Sequence, residues 1–167
     1  MTTRAASRVL DLLAGRRQTL ATAESLTGGL IGSLLTGVPG ASASYLGGVI
    51  SYATRLKVDL AGVDAQTLDQ LGPVAALTAE QMALGVARSC AADWGLSATG
   101  VAGPETQDGH PVGQVFVGVA QPAVGFRRVE ELTLRGTRQE IREEAAERAL
   151  QLLAGVLGMN SEPVVVV

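Results

Sequence analysis

The chain has 167 residues, a formal charge of −3, and 47% apolar but only 3% aromatic residues, enough for one domain that buries about two-thirds of its unfolded surface around Ala, Val and Leu. Its basic residues form no stripe, only the isolated pairs Arg16-Arg17 and Arg127-Arg128, which argues against nucleic acid as the main partner. One cysteine and one histidine exclude an intrachain disulfide and the usual Cys/His zinc sets, and no apolar run nears the roughly twenty residues of a bilayer span.

The first apolar positions, Ala5, Val9, Leu12 and Leu13, follow helical spacing and Asp11 interrupts them. The segment therefore reads as an amphipathic helix rather than a signal-peptide core, and the chain as cytoplasmic. Gln18–Glu24 is strand-like, and an apolar, helix-compatible run from Leu26 to Thr36 ends at Gly37-Val-Pro39-Gly40. At their junction stands Glu24-Ser25-Leu-Thr27-Gly28-Gly29. A serine between strand and helix lies beside unpaired backbone N–H groups that hold an anion or a developing oxyanion. Gly28 and Gly29 clear side chains from that backbone. The same pattern also serves as a plain helix N-cap with close-packing glycines, so the segment alone leaves both readings open.

Ser44–Tyr52 is the next strand by its β-branched and aromatic content. Lys57 follows Tyr52 by five residues, across the strand's end and the start of a short helix, so both can face one cleft. Twelve of the thirteen basic residues are arginine and Lys57 is the only lysine. A lysine can lose its proton where an arginine cannot, and with Ser25 it completes a nucleophile and general base. Compositional chance for Lys57 and a core aromatic for Tyr52 are the competing readings.

Residues 64–72 read as a short helix closed by Gly72-Pro73, and Thr78-Ala-Glu-Gln81 as a capping box opening a helix with Met82, Val86 and Cys90 on one face. Cys90 there is a small buried hydrophobe rather than a nucleophile. Trp94–Thr99 is a strand that delivers Thr99 and Gly100 to a Gly/Pro-rich loop, Gly100–Gly113, holding Gly103, Pro104 and His110. Ligands of open α/β sheets bind beyond the carboxyl ends of strands, which favours a loop shaped around a substrate over a mobile connection. Gln114–Ala120 and Phe126–Leu134 form a hairpin. Thr137-Arg138-Gln-Glu140 is a second capping box, opening a last helix with Ile141, Ala145, Ala149, Leu152 and Val156 as its buried stripe and its charges on the wet face. Arg138, in the first turn, either grips a phosphate or is a surface arginine. Residues 1–160 read as one domain; 161–167, ending Pro163-Val-Val-Val-Val, are a tail or an extra edge strand.

Ala23-Glu-Ser25-Leu-Thr-Gly-Gly29, Val38-Pro-Gly40, Ser51-Tyr52 with Lys57, Ala98-Thr-Gly-Val-Ala-Gly-Pro104, Pro111-Val-Gly113 and Gly136-Thr-Arg138, in this order, resemble the CinA C-terminal family, the nicotinamide-mononucleotide amidohydrolases also labelled competence/damage-inducible proteins. The resemblance implies a three-layer α/β/α sandwich with a mixed, mostly parallel sheet. It also implies hydrolysis of the linear carboxamide of nicotinamide mononucleotide (NMN) to nicotinate mononucleotide and ammonia, with no cofactor or metal. By it, Ser25 is the nucleophile, Lys57 the base and Tyr52 their neighbour. Thr27, Gly28, Gly29, Thr99, Gly100, Gly103 and Arg138 then fall on the substrate side, and Glu24 is either company for a cationic pyridinium or a structural carboxylate. The expected partner is a small nucleotide, with neither nucleic acid nor membrane, and a homodimer is left open; the chain reads as a stand-alone version of longer relatives.

Three departures stand out: Leu26 replaces the family's usual cysteine, Glu105-Thr-Gln-Asp-Gly109 its glycine-rich run, and Gly136-Thr-Arg138 its common Gly-Asp-Arg. The last two lie on the substrate side. They keep two alternatives alive, a non-catalytic pyridine-nucleotide-binding module and a Ser-Lys amidase for a different amide.

Overall fold

A computed structural model describes residues 3–159; the Val-rich tail lies outside the described residues. Among the described residues there are six α-helices, α1 Arg4–Arg16, α2 Leu30–Thr36, α3 Thr54–Asp59, α4 Ala65–Leu71, α5 Ala76–Ser89 and α6 Arg138–Met159. Five strands, β1 Leu20–Glu24, β2 Tyr45–Ile50, β3 Trp94–Gly100, β4 Gln114–Gln121 and β5 Phe126–Thr133, form one sheet in the order β2-β1-β3-β4-β5. The β1–β2 and β1–β3 pairs are parallel and the β3–β4 and β4–β5 pairs antiparallel. Four of the five strands thus point one way and β4 runs against them, as the mixed, mostly parallel expectation has it.

The sheet is sandwiched because its central strands are apolar on both faces. All five residues of β1 are buried, as are six of seven in β3, whereas edge strand β2 alternates half-buried and exposed positions. On one face α6, α1 and α2 close the larger core around Leu13, Leu20, Ile31, Leu96, Val117, Leu150 and Leu153. On the other, α5 and α4 cover β1, β3 and β4 through two smaller clusters, around Met82 and Val86 and around Val74 and Phe116. Helix α5 comes close because Gly95 on β3 has no side chain: a Cβ there would fall inside the Ala83 carbonyl group.

Several boundaries differ from the sequence expectation. Helix α5 starts at Ala76, two residues before the expected cap, so Thr78 lies inside it and its hydroxyl donates to Gly72 O at 2.8 Å. Helix α2 starts at Leu30 rather than Leu26, because Gly28 and Gly29 take positive φ (57° and 100°) and turn the chain before helix can begin. The second capping box forms as read: Thr137 N–H donates to Glu140 Oε2 at 2.7 Å and Glu140 N–H to Thr137 Oγ1 at 3.3 Å. The Thr137 N–H and, at 2.9 Å, the Thr137 hydroxyl both donate to the Glu140 carboxylate and hold it below its usual range.

Between the first two crossovers the chain changes direction. From β1 it passes through α2 to β2 on one side, and from β2 through α5 to β3 on the other. The crevice beyond the carboxyl ends of β1 and β3 is the switch point where such sheets bind ligands.

Candidate functional site

Ser25 is the first residue after β1, and its position is fixed by the sheet: its N–H donates to Ala98 O on β3 at 2.9 Å. Ser51 follows β2 in the same way, with its N–H on Glu24 O at 2.8 Å. The short turn after Ser51 then starts α3, whose Lys57 side chain reaches back under the crevice. Lys57 Nζ donates to Ser25 Oγ at 2.9 Å and to Ser51 O at 2.8 Å, and the residue is 1% exposed. Two positions 32 residues apart in sequence therefore meet inside the molecule.

Burial is what changes the amine. Among the described residues no carboxylate is hydrogen-bonded to it, and desolvation lowers the Lys57 pKa from 10.5 to about 8. At pH 7 about one molecule in ten then carries the neutral amine, against roughly one in three thousand for an unperturbed lysine. A neutral amine at hydrogen-bond distance from a serine hydroxyl can take its proton as the oxygen attacks an electrophile.

The dyad lies on the wall of a cavity of about 500 Å³, lined also by Leu26, Tyr52, Thr54, Pro73, Val74, Arg138 and the loop from Thr99 to Gln107. Of the residues expected on the substrate side, Thr99, Gly100, Gly103 and Arg138 line it. Thr99 Oγ1 is committed to Pro73 O at 2.7 Å. Arg138 spans the mouth, donating from Nη1 to Gly103 O at 2.6 Å and from Nη2 to Tyr52 Oη at 3.0 Å. Tyr52 is 61% exposed, so it is no core aromatic, and its hydroxyl meets Arg138 rather than the dyad.

Thr27, Gly28 and Gly29 are absent from the cavity wall. Nor are the N–H groups of the α2 start open to an anion. Glu24, 2% exposed, takes them: Gly29 and Ile31 donate to its Oε1 at 3.2 and 2.9 Å, and Gly32 to its Oε2 at 3.1 Å. Glu24 is therefore a structural carboxylate satisfied by a helix start, and it does not line the cavity. Cys90 caps α5 and packs half-buried against the Met82 cluster.

Two features escaped sequence reading. Within the loop, Gln107 and His110 pair across a tight turn at Asp108 and Gly109, both at positive φ; the Asp-Gly dipeptide is a signal for it. His110 Nδ1 lies 2.8 Å from Gln114 Oε1, outside the cavity. Arg142, read as a wet-face charge, donates from Nε to Leu26 O at 2.8 Å and from Nη2 to Thr27 O at 3.3 Å; nothing in the helix pattern signals this. Among the described residues no helix is long and apolar enough to cross a membrane, and no group of three His, Cys, Asp or Glu side chains could hold a metal ion.

A family model described as the CinA C-terminal domain matches residues 2–157. A CinA-like protein of Frankia casuarinae is 46% identical over 92% of this chain and 36% of its own length. One from a Cyanothece species is 52% identical over 71% of this chain and 28% of its own. The chain thus spans about a third of the length of the curated relatives it matches. Among solved structures, it is similar to a competence/damage inducible protein from Agrobacterium tumefaciens, at 33% identity and a TM-score of 0.86 over 92% of this chain and 93% of that one. It is also similar to a competence-damaged protein (CinA) superfamily member from Klebsiella pneumoniae, at 28% identity and 0.88 over 93% and 96%.

Proposed function

The chain belongs to the CinA C-terminal domain family, and from that premise we propose that it is an amidohydrolase that converts NMN to nicotinate mononucleotide and ammonia. The observation that carries the reading is the 2.9 Å contact of Lys57 Nζ with Ser25 Oγ, made where burial keeps part of the amine neutral.

In the proposed reaction, Ser25 Oγ attacks the carboxamide carbon and its proton passes to Lys57 Nζ. The carbonyl π pair moves onto oxygen, whose negative charge is held by backbone N–H groups after Ser25. As the tetrahedral intermediate collapses, the C–N bond breaks and Lys57 returns the proton to the departing nitrogen, releasing ammonia. Water then attacks the acyl ester with Lys57 as base, the C–Oγ bond breaks, and Ser25 recovers its proton. Thr99 and the Gly100–Gly103 backbone form the wall against which the substrate lies. Arg138, at the mouth, suits the phosphate of the nucleotide.

A second reading, the same dyad acting on a different amide, is favoured by one observation: Glu105, Thr106 and Gln107, where the chain departs from the family's glycine-rich run, line the cavity. Ammonia release from NMN, nicotinamide riboside, nicotinamide and simple amides, measured without added metal and beside thermal shifts, separates the readings. Release from NMN supports the proposal, and release only from another amide supports the second reading. A thermal shift by NMN with no ammonia from any amide leaves a binding module.

A further inference from the structure

Building on the reading of Ser25 as a nucleophile, we propose that Arg142 is a positioning residue: by gripping the carbonyl of Leu26 from α6 it orients the Thr27 N–H, which together with the Leu26 N–H makes the oxyanion site.

The hydrogen bonds of the turn lead there by accounting. Ser25 N–H is committed to Ala98 O, Gly28 N–H to Ser25 O at 3.0 Å, and Leu30 N–H to Thr27 O at 3.1 Å. Gly29, Ile31 and Gly32 donate to Glu24. Among the described residues, the N–H groups of Leu26 and Thr27 have no acceptor, and these are the two amides directly after the nucleophile. The Thr27 hydroxyl, fully buried, has no partner either. Leu26 and Thr27 are buried residues, and an unpaired donor in such a place costs on the order of 1–3 kcal/mol unless something uses it. An oxyanion formed on Ser25 is the group that would.

Arg142 acts from the far side on one of those two peptides, the Leu26 C=O–Thr27 N–H unit, and its second bond, to Thr27 O, steadies the next peptide, whose Gly28 N–H is held by Ser25 O. In a trans peptide the carbonyl and N–H point in opposite directions. Drawing Leu26 O toward α6 by a 2.8 Å bond therefore turns Thr27 N–H away from α6. The guanidinium also withdraws charge through that carbonyl, which strengthens the N–H at the other end of the peptide as a donor. Its own place is fixed: Nη1 donates to Gln139 Oε1 at 2.9 Å, and a Cβ on Gly28 would come 3.1 Å from Nη2, so the group packs hard under the turn. Glu24 holds the amides of Gly29, Ile31 and Gly32 and Arg142 the carbonyls of Leu26 and Thr27, which leaves as free donors the two amides directly after Ser25.

The test compares the parent protein with Arg142→Met, Arg142→Lys and Ser25→Ala, on NMN and on p-nitrophenyl acetate, a general probe of serine acylation. Arg142→Met is expected to lose on the order of 10- to 100-fold in kcat on both compounds. Its KM and the pH limb set by Lys57 should stay in place, amide hydrogen exchange across residues 25–29 should quicken, and Arg142→Lys should recover part of the rate. Parental kcat in folded Arg142→Met, or a loss confined to KM, overturns the assignment while Ser25→Ala remains inactive. If Ser25→Ala keeps parental activity, the nucleophile reading falls and the oxyanion site falls with it.

Discussion

Replacing Lys57 with methionine keeps an unbranched apolar stem of similar length, with a thioether sulfur for one methylene, and removes the amine. In the unfolded chain that amine titrates at 10.5, and in the fold at about 8. Between those values the unfolded state binds more protons, so the stability of the parent rises with pH across the window. One pKa unit is worth about 1.4 kcal/mol, so the charged amine costs the fold on the order of 3 kcal/mol at pH 7, of which about 2 kcal/mol is relieved by pH 9.5. The variant also forfeits the bonds to Ser25 Oγ and Ser51 O, which offsets its gain by an amount common to both pH values. The measurable quantity is therefore the change in the gap. Urea unfolding of parent and Lys57→Met at pH 7 and 9.5 should show the parent gaining about 2 kcal/mol on the variant. All other ionisable groups are shared and cancel. A gap that does not move with pH, or that moves in the variant's favour, would refute the claim that this lysine is buried and depressed in the fold.

The same titration sets the rate. kcat/KM for ammonia release should rise with pH and level off above about 8 as Lys57 loses its proton, and Lys57→Arg, which keeps the charge but cannot act as a base, should be inactive at every pH; a flat profile would sink the base assignment. Gly95→Ala should destabilise by roughly 3 kcal/mol or more, because its Cβ meets the backbone of Ala83, which cannot rotate aside. Thermal unfolding within a degree of the parent would show that α5 packs less tightly on β3 than described.

The dyad was legible because composition isolated it: a single lysine among arginines, and a serine at a strand end before glycines. The element types were legible too, since β1, β3 and the β4–β5 hairpin carry strand content, and Thr137 with Glu140 spells its own cap. The start of α2 was not. Leu26-Thr-Gly-Gly-Leu-Ile is apolar enough for helix, and it is the positive φ of Gly28 and Gly29, with three amides drawn onto the Glu24 carboxylate, that moves the first helical residue to Leu30. Glu24 itself faces a helix start rather than a ligand, which strand alternation cannot specify. Thr78 fits a cap by spacing, yet it lies in the first turn of the helix and its hydroxyl finds Gly72 O, ahead of that helix. Arg142 was least legible. Its partners lie about 115 residues earlier, and a polar position on an amphipathic helix gives no sign of which carbonyl it will reach.

The central claim, that Ser25 carries the bond-making step, is tested most directly by ammonia release from NMN by Ser25→Ala protein whose unfolding midpoint matches the parent's. The account predicts a loss on the order of a thousandfold or more in kcat. Turnover at the parental rate by that folded variant would contradict it.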